Sequence, residues 1–436
     1  MALNEALNRL ASFVNNLKFG SLPKFESEQN KQISGGTFVI VSRADWTILL
    51  AGDDAAEYRE IVDELHRGIA KTGHLSKRAV ERLTEDFFFG LFATGDRRSE
   101  QGFPLTLQDR LHQFKQSLLE GPKSWEIHLP VGGLDPRGLP LAVGKVEFYF
   151  FDRPRSEVLA SCLADSARTN PEERAKVAVD LSAELAGLVD KTVARVVVSG
   201  VDFDAACEKA KATIRVTIDT INFYTPRAHL LGWLYLTGEV FPQVELVPGF
   251  AHGVGAHIGR SWRGPIYPIP LNQIASRPGF VRASKMLSME QPKDLEKRIL
   301  ASMQWAGRAQ VDDRREEAFL FYAIALETLL LGRETTGEIT YQLATRCANL
   351  LGSPGLNQRR AVVRHIKELY RLRSKIVHSG SLEVTDASLG RMRDYAVSSL
   401  FIVLEHDPFK SMLTVREFDD WFEGRLLSGG LSEAEP

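Results

Sequence analysis

The residues best placed to do chemistry lie close together in the last quarter of this chain. Gln358–Gly380 reads QRRAVVRHIKELYRLRSKIVHSG, with seven Lys/Arg residues between Arg359 and Lys375 against one acid, Glu368. A cationic helix face of this kind can hold phosphates, and a merely solvated helix face has the same composition. At about 100° per residue, Lys367, Arg371, Ser374 and His378 share one stripe, while Ile366, Leu369, Tyr370, Ile376 and Val377 form the apolar side. Arg373 falls with the apolar group, where a guanidinium without a carboxylate is costly. Glu327, inside the otherwise apolar AIALETLLL (323–331), is the candidate partner. Two ionisable groups in two apolar helices suggest each other, and a purely structural salt bridge is one outcome.

The elements that must position these residues change character along the chain. Residues 1–17, 54–91 (split near Gly73–His74), 107–119, 171–190 and 202–224 have helical spacing. TFVIVS (37–42), 124–131, 143–152 and 191–201 read as strands. FFFGLF (87–92) reads as core, 94–104 as a loop, and 233–285 as short strand-like pieces and turns. From Pro292 the pattern is helical: 293–308, 313–331, 337–351, 357–378 and 386–406, joined by short loops. The expected fold class is α+β: an N-terminal mixed α/β region of unassigned fold over 1–285, with a subdivision near 155–190, then an all-α helical bundle over 293–406. Residues 407–436 read as an extension with a frayed tail.

Composition narrows the function classes. A chain of 436 residues suggests two or three domains, and 44% hydrophobic residues support a packed core. The net charge of −2 gives no whole-chain attraction to nucleic acid or acidic membrane, so a basic patch must be local. Cys162, Cys207 and Cys347 are too far apart for a CxxC pair and read as buried structural thiols in a reducing cytoplasm. No signal segment and no apolar run long enough for a membrane span is seen.

The run LYRLRSKIVHSG, with ALETLL upstream, resembles the HEPN superfamily, and most closely the ApeA-like HEPN branch of bacterial anti-phage defence proteins. The resemblance covers about a quarter of the chain. It maps the Rx4-6H motif onto Arg373, Ser374 and His378, and the upstream acid onto Glu327. Ser374 departs from the usual Asn, Asp or His follower but keeps a hydroxyl. The resemblance implies a HEPN bundle and metal-independent RNA cleavage, with no cofactor. The 2′-hydroxyl attacks the adjacent phosphorus, leaving a 2′,3′-cyclic phosphate and a 5′-hydroxyl. His378 would be base or acid, Arg373 would stabilise the phosphate, and Glu327 would fix Arg373. Ser374 would orient His378 or a phosphate oxygen. Arg371, Lys375, Lys367 and Arg364 would bind the RNA backbone. It further implies a homodimer with two motifs facing one cleft, and a phage-derived or regulatory trigger that releases the nuclease. Arg373 and His378 are about 140° apart on an ideal helix, so a composite dimer site, or a helix end near His378, must bring them together. Gly380 is placed to stop the helix.

Other motifs carry weaker chemistry. HGVGAHIGRS (252–261) has G-x-G-x-x-x-G spacing, fails the dinucleotide fingerprint and reads as a turn-rich loop. His252, His257 and Arg260 could line a pocket there, but no third metal ligand is evident. Asp202 with Asp204, and Asp312–Asp313, read as helix-start caps, and His365 as a surface residue. Two other readings remain. The bundle could be a silent dimerisation or nucleotide-binding HEPN module in a sensor or scaffold, expected if Arg373 and His378 are both buried with Glu327. Alternatively, the chemistry could lie in the N-terminal region near His252.

Overall fold

The computed structural model describes residues 3–16, 38–43, 46–51, 53–69, 75, 77–93, 106–119, 121–135, 137, 139–166, 171–200, 202–225, 233–236, 243–251, 255–263, 268–331, 339–352, 355–379 and 384–427. It is a mixed α+β chain that forms two compact units: Met1–Ile127 with Val197–Ala210, and His128–Val196 with Lys211–Pro436.

The first unit opens with α1 (Leu3–Asn16), the antiparallel pair β1 (Phe38–Arg43) and β2 (Trp46–Ala51), then α2 (Asp53–Ile69), α3 (Lys77–Ala93) and α4 (Thr106–Leu119). Its core is one apolar face from each helix, including Leu10, Phe13, Ile61, Leu65, Phe88 and Leu118. Phe87 and Phe88 are buried as their sequence implied.

The chain continues through β3 (Lys123–Gly132), β4 (Leu141–Val143), β5 (Val146–Phe151), α5 (Arg153–Ser166), α6 (Pro171–Leu185) and β6 (Lys191–Gly200). Then come α7 (Phe203–Phe223), β7 (Tyr235–Leu236), β8 (Gln243–Ala251) and β9 (Gly255–Arg263). Five strands make a sheet ordered β4-β5-β6-β3-β7. The stretch read as one strand over 143–152 belongs to a hairpin. Val143 pairs with Val146 across a two-residue turn, and Gly144 takes φ +62°, a conformation that suits its first central position. Asp202 caps α7, accepting the Ala205 N–H at 2.7 Å, as the sequence suggested.

The stretch read as a turn-rich loop over 252–261 is corrected. Gly255–Arg263 is a strand, paired antiparallel with β8 from Ala251↔Gly255 to Gln243↔Arg263. Its glycines resemble turn punctuation in sequence, yet here they occupy ladder positions.

The remainder is helical: α8 (Leu271–Ala275), α9 (Pro278–Ser288), α10 (Asp294–Val311), α11 (Arg315–Leu330), α12 (Ile339–Leu351), α13 (Leu356–Ser379), α14 (Asp386–Glu405) and α15 (Val415–Leu427). α11 is the central rod. It buries Phe319, Tyr322, Leu326, Leu329 and Leu330 and packs against α10, α12, α13 and α14, which is why its sequence is apolar on every side. Ser302 on α10 is fully buried without cost to pairing, since its hydroxyl donates to the Ala325 carbonyl at 2.7 Å. Gly307 lets α10 approach α7 closely: a Cβ there would lie 1.9 Å from the Asp219 carbonyl oxygen. Packing continues across 286–292, where the composition changes. Arg282 on α9 donates to the carbonyls of Val403 (2.8 Å) and Leu404 (3.2 Å) at the end of α14. Within the extension after residue 406, α15 buries Phe418 and Phe422. The tail from 428 onward lies outside the described residues, as does the predicted loop at 94–104.

Candidate functional site

α13 carries the candidate residues. It has no glycine or proline from Leu356 to Ser379 and is rich in Arg, Lys, Leu and Glu, all good helix formers. Ile366, Leu369, Tyr370 and Ile376 are buried and hold the helix on the bundle. Val377, expected on the apolar side, is instead 50% exposed, because the buried stripe ends with Ile376. The helix runs through His378 and ends at Ser379; Gly380, the expected stop, lies outside the described residues.

Arg373 and Glu327 do meet. Arg373 Nε lies 3.4 Å from Glu327 Oε1, with side-chain exposures of 30% and 25%. This is an ion pair without a hydrogen bond: Nε is shielded from water yet has no hydrogen-bonded partner. The hydrogen bond to that carboxylate oxygen comes from Tyr370, whose hydroxyl donates to Glu327 Oε1 at 2.8 Å. Burial, and then the Glu327 charge, hold the Tyr370 phenol protonated well above its usual range. Tyr370 is the member of the site that sequence reasoning missed. Its ring counts as core, and a phenol on an apolar stripe gives no sign of its acceptor.

The other candidates face outward. Ser374, His378, Arg371, Lys375 and Arg364 are exposed, and Lys367 is partly buried. The Lys367 ammonium lies 5.8 Å from the centre of the Tyr341 ring. Among the described residues no hydrogen bond or ion pair links His378 to Arg373, so the chain brings Arg373, Tyr370 and Glu327 together and leaves His378 apart. His365, expected at the surface, is half-buried, with Nδ1 2.9 Å from the Tyr395 hydroxyl. Burial, then Arg391 and Arg364, lower its pKa. A cavity of about 470 Å³ opens beside these residues between α12 and α13, and Arg360, Arg364, Lys367 and Arg371 line it.

Comparison with protein-family models, curated proteins and solved structures found no match.

The remaining motifs resolve as follows. Among the described residues no group of three or more His, Cys, Asp or Glu is arranged to hold a metal, and no helix is long and apolar enough to cross a membrane. His257 and Arg260 sit on β9 opposite Gly249 and Leu246, and His252 lies outside the described residues. Asp204 pairs with Arg78 at 3.6 Å. Asp312 accepts the Arg314 N–H at 2.9 Å beside the start of α11. Of the three cysteines, Cys347 is buried, Cys207 intermediate and Cys162 exposed, so the expectation of buried thiols holds only for Cys347 and fails most clearly for Cys162. That residue lies on an outward face of α5.

Proposed function

We propose that the helical part of this chain is a HEPN-type endoribonuclease that works as a homodimer without metal, in a cytoplasmic defence or abortive-infection role under a phage-derived or regulatory trigger. The observation that carries the reading is the Arg373–Glu327 ion pair. A motif arginine is held by the upstream acid, as the family resemblance of Arg373-Ser-Lys-Ile-Val-His378 implies, while the rest of its side chain keeps some exposure. A phosphate oxygen developing charge can then take hydrogen bonds from the guanidinium.

His378 takes the proton from the 2′-hydroxyl, the 2′-oxygen forms a bond to phosphorus, and the bond from phosphorus to the 5′-oxygen breaks. That leaving oxygen takes a proton, supplied by a second His378 across the dimer cleft. Ser374, one residue beyond Arg373, orients the imidazole or a phosphate oxygen. The separation of about 140° between Arg373 and His378 on one helix favours a site completed by two copies. Exposure of His378 favours a reactive site over the silent-module alternative, which needs both motif residues walled off.

The test is incubation of the purified full chain with RNA in EDTA, beside His378→Ala and Arg373→Ala. Wild type is expected to cut, and each variant to lose about 10²-fold or more in rate. Cutting that persists unchanged in both variants, or that needs a divalent ion, rejects the proposal. Sedimentation should find dimers; a strictly monomeric chain with full activity contradicts the shared cleft.

A further inference from the structure

The cavity between α12 and α13 contains none of Arg373, Ser374 or His378, and its wall is strongly one-signed. Arg360, Arg364, Lys367 and Arg371 stand at i, i+4, i+7 and i+11, so on α13 they fall within about 60° of one another. Among the described residues no carboxylate pairs with any of these four. The one acid on the wall, Glu368, faces Arg391 at 3.9 Å. Four like charges along one edge repel one another unless an anion lies between them. The positive end of the α13 dipole lies at the same end of the cavity, where Leu356 lines it.

The same stripe continues past the cavity through Ser374 (i+14) to His378 (i+18). From Arg360 to His378 it is about 27 Å at 1.5 Å per residue. An aromatic surface accompanies the cations: Tyr341 on α12 is 52% exposed and stands against Lys367. Cations at regular spacing with an exposed ring beside them fit a strand whose phosphates track the charges and whose unpaired base stacks on the ring. Ala348 and Val363 add an apolar patch to the cavity wall, beside the polar Thr345 and Asn349.

We infer that the cavity is the entry end of a single-stranded RNA track running along α13 from Arg360 to His378, with Tyr341 as a base-stacking platform. This rests on the reading of Arg373 and His378 as the cutting site. It adds that the substrate is unpaired and extends several nucleotides to one side of the cut. At about 3.4 Å per stacked nucleotide the stripe spans roughly eight nucleotides, fewer if the strand is extended.

The test is fluorescence anisotropy of the full chain with a 2′-O-methyl decanucleotide, which cannot be cut by 2′-hydroxyl attack, over a range of salt. Four phosphate contacts on a single strand give a slope of about −3 in log K against log salt, and Arg360→Ser/Arg364→Ser should bring it to about −1.4. Both arginines are exposed, so the fold should survive. Tyr341→Leu should weaken binding about tenfold at unchanged slope. A dinucleotide and a duplex of the same sequence should bind more weakly than the single-stranded decanucleotide. An unchanged slope in the double variant overturns the track. So does ATP that displaces the decanucleotide at equal phosphate concentration, which would make the cavity a nucleotide pocket. If the wild type binds as described but never cuts RNA, the nuclease reading falls and the track stands. If it cuts and the slope is unmoved, the reverse holds.

Discussion

Arg308 meets Asp219, and Arg373 meets Glu327, in the same compact unit, and the two pairs are built differently. Asp219 is buried, and Arg308 Nε donates to its Oδ2 at 3.0 Å. Burial pushes the Asp219 carboxyl up to about 6 against the opposing pull of Arg308. Glu327 is more open, receives its hydrogen bond from Tyr370, and holds Arg373 only at 3.4 Å. The first pair spends its directional hydrogen bond inside the fold, tying α7 to α10. The second leaves the guanidinium without a hydrogen bond among the described residues: Nε is shielded beside Glu327, and the side chain as a whole keeps 30% exposure. Arg308 is the more exposed of the two side chains, 44% against 30%, so the pairs differ in how the carboxylate is bonded, and the phosphate role proposed for Arg373 rests on that difference.

Exchanging the two arginines for alanine should break the comparison cleanly. Arg373→Ala is expected to lower RNA cleavage by about 10²- to 10³-fold with little change in the urea midpoint. Arg308→Ala should leave the cleavage rate per folded molecule near wild type. It should cost about 1 to 3 kcal/mol of stability, because Asp219 loses its partner. A result in which both variants lose stability equally and cleavage equally erases the distinction.

The pH dependence sharpens it. In the folded chain Asp219 keeps its proton to about pH 6, whereas an unfolded aspartate releases it near pH 4. Folding therefore binds a proton in that window, and this group's contribution to stability falls as pH rises through it. Asp219→Asn cannot titrate, so its stability relative to wild type should improve by about 2 to 3 kcal/mol between pH 4 and pH 7. Urea titrations of both proteins at the two pH values check this; a difference that stays flat or changes sign removes the burial argument. Tyr370→Phe is the smallest effect. It deletes one hydrogen bond to Glu327 and should cost about 1 kcal/mol, with a modest loss of cleavage as Arg373 loses its fixed counter-charge.

The Arg373–Glu327 contact was legible in sequence because Arg373 falls on the apolar side of its helix and Glu327 interrupts an otherwise apolar one, and burial leaves such charges few partners. The Asp219–Arg308 contact was not. Asp219 sits in a helix whose apolar face runs through Val216, Ile218 and Ile221, and nothing local points to a residue 89 positions away. The five helices from α10 to α14 followed from 3.6-residue spacing. β9 escaped because Gly255 and Gly259 read as turns, although in the hairpin they face Ala251 and Val247. α9 escaped because Pro278 reads as a turn signal where it serves as a helix's first residue. The cavity was half visible. The cations of α13 stood out, but the exposed Tyr341 beside them depends on how α12 folds back, a tertiary fact with no local signature.

The central claim is that RNA is cut by its own 2′-hydroxyl at a site made by Arg373 and His378. Analysis of product ends after cleavage in EDTA tests it most directly. The account predicts 2′,3′-cyclic phosphate and 5′-hydroxyl ends, and no cleavage where a 2′-deoxynucleotide replaces the reacting one. Products with 3′-hydroxyl and 5′-phosphate ends would contradict it.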